Sequence, residues 1–171
     1  MVHEIYGVLH SPAYRSRYAE FLKIDFPHIP LPGSAALFHA LAPLGAALVA
    51  LHLMESPLLD TPMTTSIGHA EPVVEKVSHA METVWLDQAQ TRSFHGVPEA
   101  VWNFHIGGNQ VCHKGLKDRK GRTLTKTDLE HDQKIVVALS ETIRIMAEIH
   151  QVIESHGGWP GAFITDKTKE G

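Results

Sequence analysis

The side chains best equipped for recognition chemistry are gathered between residues 101 and 122, V-W-N-F-H-I-G-G-N-Q-V-C-H-K-G-L-K-D-R-K-G-R. Asn109 and Gln110 each carry a donor and an acceptor on one amide, the arrangement that pairs bidentately with the edge of adenine. Lys114, Lys117, Arg119, Lys120 and Arg122 follow closely, and their cationic heads suit guanine edges or phosphate oxygens. Other chemistries find less support. The 13 histidines raise the question of a metal site, but His105 and His113, like His150 and His156, lack the one-turn helical pairing of a zinc site. Cys112 and His113 are adjacent, which on a helix points them apart and disfavours a thiol dyad. Neither a complete dinucleotide fingerprint nor a phosphate-binding loop ending in Gly-Lys-Ser/Thr occurs. The Asn or Asp followed by Pro-Pro and an aromatic, which holds a flipped adenine in amino-methyltransferases, is also missing. The chain reads as something other than a complete enzyme, with a hydrolase using histidine-bound metal as a minor alternative.

The totals set further bounds. At 171 residues the chain is long enough to bury a real core. A net charge of -4 argues against coating nucleic acid by bulk electrostatics. Charge is nevertheless uneven: residues 114–126 hold six bases and one acid, Asp118, while acids concentrate at 71–82 and 128–154. The single cysteine excludes an internal disulfide and fits a reducing compartment, with a buried inert thiol expected at Cys112. No leader pattern opens the sequence, so a cytoplasmic setting is expected.

These residues need elements to position them. Alternation over residues 101–106 predicts a strand with one buried face, stopped by Gly107-Gly108, and residues 110–120 predict a short helix with the cations on its polar side. Ser11-Pro12 predicts a helix start running to about residue 23. Three prolines within 26–32 predict an extended connector. Residues 34–54 are apolar enough that a membrane span has to be weighed, yet Pro43, Gly45, His39, His52 and the many alanines favour a core helix bent or broken at Pro43. A loop is expected over 55–70, and strands over 73–77, 83–86 and 91–95 join 101–106 in a small antiparallel sheet, chosen over a helix that the spacing of 75–85 equally allows. Thr127 and Glu130 predict a capping box. From there Leu129, Val136, Leu139, Ile143, Met146, Ile149 and Ile153 form one stripe of a helix on the order of 40 Å long, ended by Gly157-Gly158 and Pro160. The fold class is α+β, mainly helical, with a small antiparallel sheet and a long C-terminal helix. Residue chemistry alone leaves two readings open: a DNA-recognition surface, or a protein-interaction module docking through that long helix.

Three runs add a resemblance. I-Y-G-V-L-H-S-P-A-Y-R-S-R-Y-A-E-F-L-K-I-D-F-P-H-I-P-L-P (5–32), W-N-F-H-I-G-G-N-Q-V-C-H-K-G-L-K-D-R-K-G-R (102–122) and H-D-Q-K-I-V-V-A-L-S-E-T-I-R-I-M-A-E-I (131–149) stand in this order. With them the chain resembles the C-terminal specificity region of type ISP restriction-modification enzymes and related adenine-specific DNA methyltransferases. The resemblance implies a larger parent with a nuclease, an ATP-driven translocase and an S-adenosylmethionine-dependent methyltransferase. It also implies that S-adenosylmethionine and ATP are bound in those other parts, with no cofactor here. Residues 1–32 would be a junction from the methyltransferase and 33–171 the target-recognition domain. Double-stranded DNA is the implied ligand and a methyltransferase domain or subunit the implied partner. The family pattern has aromatics where Asn109 and Gly115 stand, so this copy departs from its relatives beside the glycine turn; a truncated remnant without DNA binding is the accompanying alternative.

Overall fold

A computed structural model describes residues 1–68 and 71–164. In chain order the elements are α1 (Val2–Leu9), α2 (Pro12–Arg17), α3 (Ala35–His52), β1 (Thr65–Ile67), β2 (Ser78–Ala80), β3 (Thr83–Trp85), β4 (Ser93–His95), α4 (Glu99–Trp102), β5 (His105–Ile106), β6 (Asn109–Gln110), α5 (Val111–Lys117), α6 (Lys126–Ser155) and α7 (Gly158–Gly161). Helices dominate a small four-stranded antiparallel sheet, as expected for the class. The chain forms two compact units. One comprises Met1–Ser56 and the segment from Thr142; the other is Pro57–Glu141.

The first unit is helical. Ser11 caps α2 by accepting the Tyr14 N–H at 3.3 Å, with Pro12 in the first turn where its missing N–H costs nothing. Tyr14 is buried, and its hydroxyl donates to His28 O at 2.8 Å, which pins the proline-rich connector. The helix is shorter than expected and gives way to a 3-10 turn at Phe21–Lys23. Ser34 caps α3, and Leu37, Leu41, Gly45, Leu48 and Leu51 are its buried residues, one stripe at helical spacing. α3 runs unbroken through Pro43. That proline is on the exposed side, as is His39, whose orphaned carbonyl can turn to water.

α1 packs on α3 at glycine positions. A Cβ at Gly45 would lie 1.6 Å from His3 O, with Gly7 N at 3.0 Å. Both obstacles are backbone, so Gly45→Ala forces the helices apart. The gain of about 1 kcal/mol in helix propensity does not offset overpacking of roughly 1–3 kcal/mol, and a lowered urea midpoint is expected.

Beside this contact the Tyr6 hydroxyl lies 2.7 Å from His52 Nδ1, and His52 Nε2 lies 3.0 Å from Thr142 Oγ1. A neutral imidazole satisfies both by accepting at Nδ1 and donating at Nε2. Burial lowers the pKa of His52, helped by nearby His10, and burial also lowers that of His10. Both histidines take protons more readily when unfolded, so this stability is complete above the ordinary histidine value and is lost as pH falls toward and through the depressed folded values. Urea denaturation at pH 7 and pH 5.5 should show a lower midpoint in acid, and His52→Gln should flatten the difference.

The second unit holds the sheet, in the order β1-β4-β3-β2, with Val84 opposite Phe94 at its centre. Val74, Val84, Leu86, Phe94, Val97 and Leu124 are buried. Two expected strands, around 83–86 and 91–95, are present as β3 and β4. The others differ. Residues 73–77 make only one bridge, Val73 to Thr123, because Pro72 has no N–H to give and the segment pairs with residues 121–124 outside the sheet. The segment expected as a loop contributes β1, whose exposed residues carry no alternation and which is held by register with β4. Residues 101–106 are not one strand: Pro98 and Glu99 start a helical turn, Val101 and Trp102 are both buried, which successive strand positions would not allow on a one-faced sheet, and only His105–Ile106 are extended, as β5.

The cap of α6 also falls two residues earlier than expected. Asp128 Oδ2 accepts from Thr125 N at 2.9 Å, and Asp128 N donates to Thr125 Oγ1 at 3.2 Å, a reciprocal box at Thr125 and Asp128 instead of Thr127 and Glu130. The helix is 30 residues long, about 45 Å. Its residues up to Glu141 belong to one unit and those from Thr142 to the other. Leu129, Val136, Leu139, Ile149 and Ile153 are all buried within this chain. The stripe is used internally, which disfavours the reading of a helix kept free for docking.

Candidate nucleic-acid interface

The site starts from a two-residue hairpin. Gly107 and Gly108 have φ of 55° and 80°, so the turn between β5 and β6 takes the left-handed backbone that glycine adopts without strain. No atom comes within 4 Å of a Cβ built on either residue, and the tip stands clear. Behind it Trp102 is the anchor. Gln110 Nε2 donates to Trp102 O at 2.7 Å, His79 stacks on the indole at 5.1 Å, and His113 meets it edge-on at 5.7 Å. The hairpin is thereby held to the Trp102 carbonyl, and β2 and α5 to its indole.

Between the hairpin and α5 lies an open concavity of about 360 Å³, lined by His105, Asn109, Gln110, His113, Lys114 and Lys117 among others. A second depression, about 200 Å³, shares His113 and Lys117 and adds Lys76 and Lys120. Lys76 arrives here because Val74 N donates to Arg122 O at 3.0 Å and Gly121 N to Val74 O at 2.7 Å. One surface therefore carries Lys76, Lys114, Lys117 and Lys120 with two histidines. Only Asp118 and Glu75 oppose them among the residues lining the two depressions. Such a surface attracts an extended anion.

The seven sequence-predicted residues separate by role. Asn109 is exposed at the tip, its amide held only by a 3.4 Å contact with Gly107 O. Gln110 donates one amide proton to Trp102 O at 2.7 Å, which fixes the orientation of the amide and leaves its second proton and its carbonyl oxygen for other partners. Lys117 and Lys120 are exposed. Lys114 bonds Asp118 at 2.6 Å on the surface, and Arg122 lies 3.6 Å from Asp128 while remaining exposed; exposed pairs of this kind are worth little and exchange readily. Arg119 is turned inward. Its guanidinium bonds Asp132, its Nε donates to Gly115 O at 3.0 Å, and Asp128 lies 3.9 Å away.

Burial pushes the Asp132 carboxyl up, against the pull of Arg119, and Asp132 Oδ2 has no hydrogen-bond partner. Asp128 is held low, first by the Thr125 backbone N–H. Nearby, burial and then the Asp132 charge push the Cys112 thiol up to about 11, leaving it un-ionised and poorly nucleophilic at neutral pH, as its expected inert role requires. Lys76, His105 and His113 were missed as site residues. Lys76 is hidden among acids in the sequence, and only its pairing with residues 121–124 reveals its place. Beside the turn, a Cβ at Gly115 would meet nothing within 4 Å. Among the described residues no group of three or more His, Cys, Asp or Glu side chains is placed to hold a metal ion.

Known structures share this architecture. LlaBIII, an ATP-dependent Type ISP restriction-modification enzyme bound to DNA, superposes with a TM-score of 0.64 at 18% identity over 86% of this chain. A nuclease-deletion mutant of the Type ISP restriction-modification enzyme LlaGI with a DNA substrate mimic gives 0.58 at 23% identity over 95% of the chain. A DrdV–DNA complex gives 0.56 at 22% identity, also over 95%. The chain spans 11%, 14% and 18% of the lengths of these three proteins. No curated protein matches the sequence. Residues 1–148 match the Type ISP C-terminal specificity domain, and the chain belongs to that family.

Proposed function

We propose that this chain is a DNA target-recognition module without chemistry of its own, giving sequence specificity to a methyltransferase and nuclease carried by other domains or by a partner subunit. The observation that carries the reading is the continuous concave surface on which Lys76, Lys114, Lys117 and Lys120 flank the open hairpin tip. The lysines and Arg122 contact phosphates and set the register of the duplex, while Asn109 at the tip is placed to read a base edge. Gln110 and Arg119 act indirectly, by holding the hairpin to Trp102 and α5 to α6. S-adenosylmethionine and ATP bind elsewhere in the parent assembly, and the setting is cytoplasmic. The chain's net charge of -4 is compatible with this role, because other domains supply much of the backbone contact.

The test is duplex binding by the isolated chain across a salt series. Affinity should fall steeply with salt, with a log–log slope of about -4 to -5 for five phosphate contacts. Absence of any binding at 50 mM salt, with the chain alone and with a methyltransferase partner, would sink the reading.

A further inference from the structure

We propose that Met81, at the tip of the β2–β3 hairpin, is an apolar wedge that inserts at a base step of the bound duplex. The inference rests on the DNA-recognition reading above. Met81 is 92% exposed, the most exposed large hydrophobic residue described. It also holds a backbone conformation that other sequences avoid: φ is 48° at Met81 and 56° at Glu82, in a two-residue turn where Asn-Gly or Gly-Gly is free of strain. The tip is nevertheless fixed. Thr83 Oγ1 donates to Met81 O at 3.2 Å, and Gly96 N and Val97 N donate to Glu82 O at 2.9 and 2.8 Å. A strained, braced turn that projects an apolar side chain into water gains nothing for the fold, and the strain points to use by a ligand.

The ligand is indicated by what the ribbon grows from. Lys76 and Val77 line the second cationic depression, and His79 on β2 stacks on the same Trp102 that anchors the other hairpin. From Lys76 the chain reaches Met81 in five residues, at most about 17 Å if extended. A duplex whose phosphates rest on Lys76, Lys117 and Lys120 therefore passes within reach of the tip. β2 is the edge strand of its sheet, with no further strand paired beyond it among the described residues, and two-stranded ribbons fit a DNA groove. An unbranched thioether is among the side chains that proteins push between base pairs to open a step.

The test begins with the full chain selecting duplexes from a random 30-base-pair pool at low salt. The enriched duplex is then remade with 2-aminopurine at successive positions. The wild-type chain should brighten the probe at one step, reporting unstacking there. Met81→Gly relieves the positive-φ strain, so it should melt no lower than wild type, yet lose the brightening and on the order of tenfold in affinity. Met81→Leu should retain both. Failure to enrich any duplex would end the DNA reading itself. An enriched duplex that shows no brightening with the wild-type chain, or that Met81→Gly binds within twofold of wild type, would overturn the role of Met81 alone.

Discussion

Replacing Lys117 and Lys120 together with alanine is expected to weaken duplex binding on the order of thirtyfold near 0.15 M salt and to reduce the log–log salt slope by about 1.8, the loss of two counterion-releasing contacts. These two lysines are chosen on geometry. Lys117 lines both depressions and Lys120 the second, both are exposed, and neither is held in an ion pair among the described residues. Lys114 gives a smaller loss, because Asp118 already offsets its charge at 2.6 Å. Lys23, paired with Glu20 at 2.7 Å on an exposed turn of the other unit, is the control whose removal should leave binding unchanged. Fluorescence anisotropy across a salt series distinguishes the cases. An unchanged slope in the double variant, with affinity reduced, would mean that the lysines act on the fold instead of on phosphate. Sequence discrimination should survive the double variant, since phosphate contacts position the protein and base contacts specify.

Much of this surface was legible before any coordinates, but unevenly. Residues local in sequence were placed well. The Gly107-Gly108 turn, the α5 helix and the Ser11 cap follow from short-range backbone chemistry, and the long helix follows from its stripe. Alternation misled where burial was supplied by neighbours. Val101 to Ile106 read as a strand, yet Trp102 is wrapped by His79, Gln110 and His113 from three other elements, and these contacts stabilise a helical turn. Register was equally invisible: the β1 residues that pair with β4 are all exposed, so β1 carries no hydrophobic signature of its own. Charge deceived in both directions. Lys76, in an acidic stretch, is carried into the site by pairing with residues 121–124. Arg119, in the middle of a basic run, faces away from it, and nothing in the run distinguishes it from Lys117 or Lys120. Family resemblance corrected the reading of purpose without correcting these placements, because a shared fold at low identity fixes the path of the chain more firmly than the partner of each side chain.

Arg119 offers the sharpest separation of a structural from a recognition role. Its side chain is 16% exposed and bonds Asp132, whose side chain is 10% exposed. Removing the guanidinium leaves that carboxylate buried, with one oxygen already lacking a partner. Breaking a buried pair from one side typically costs about 3–5 kcal/mol, far more than loss of a surface contact, so Arg119→Ala should unfold at a much lower urea concentration at pH 7. Burial already raises the Asp132 pKa, and loss of Arg119 raises it further. An acid with a raised folded pKa binds its proton more readily in the folded state, so its destabilising effect is strongest at neutral pH and is relieved as pH falls toward that raised value. The gap between Arg119→Ala and wild type should therefore narrow from pH 7 to pH 5, even though the histidine pair makes both proteins less stable in acid. Adding Asp132→Asn should recover a large part of the loss at pH 7 by removing the charge that Arg119 neutralises. If Arg119 instead faced the ligand, Arg119→Ala would melt within about 0.5 kcal/mol of wild type, as surface substitutions do, and would lower the salt slope by about one. Under the structural role, the slope of the folded protein, measured in the double variant, stays at the wild-type value.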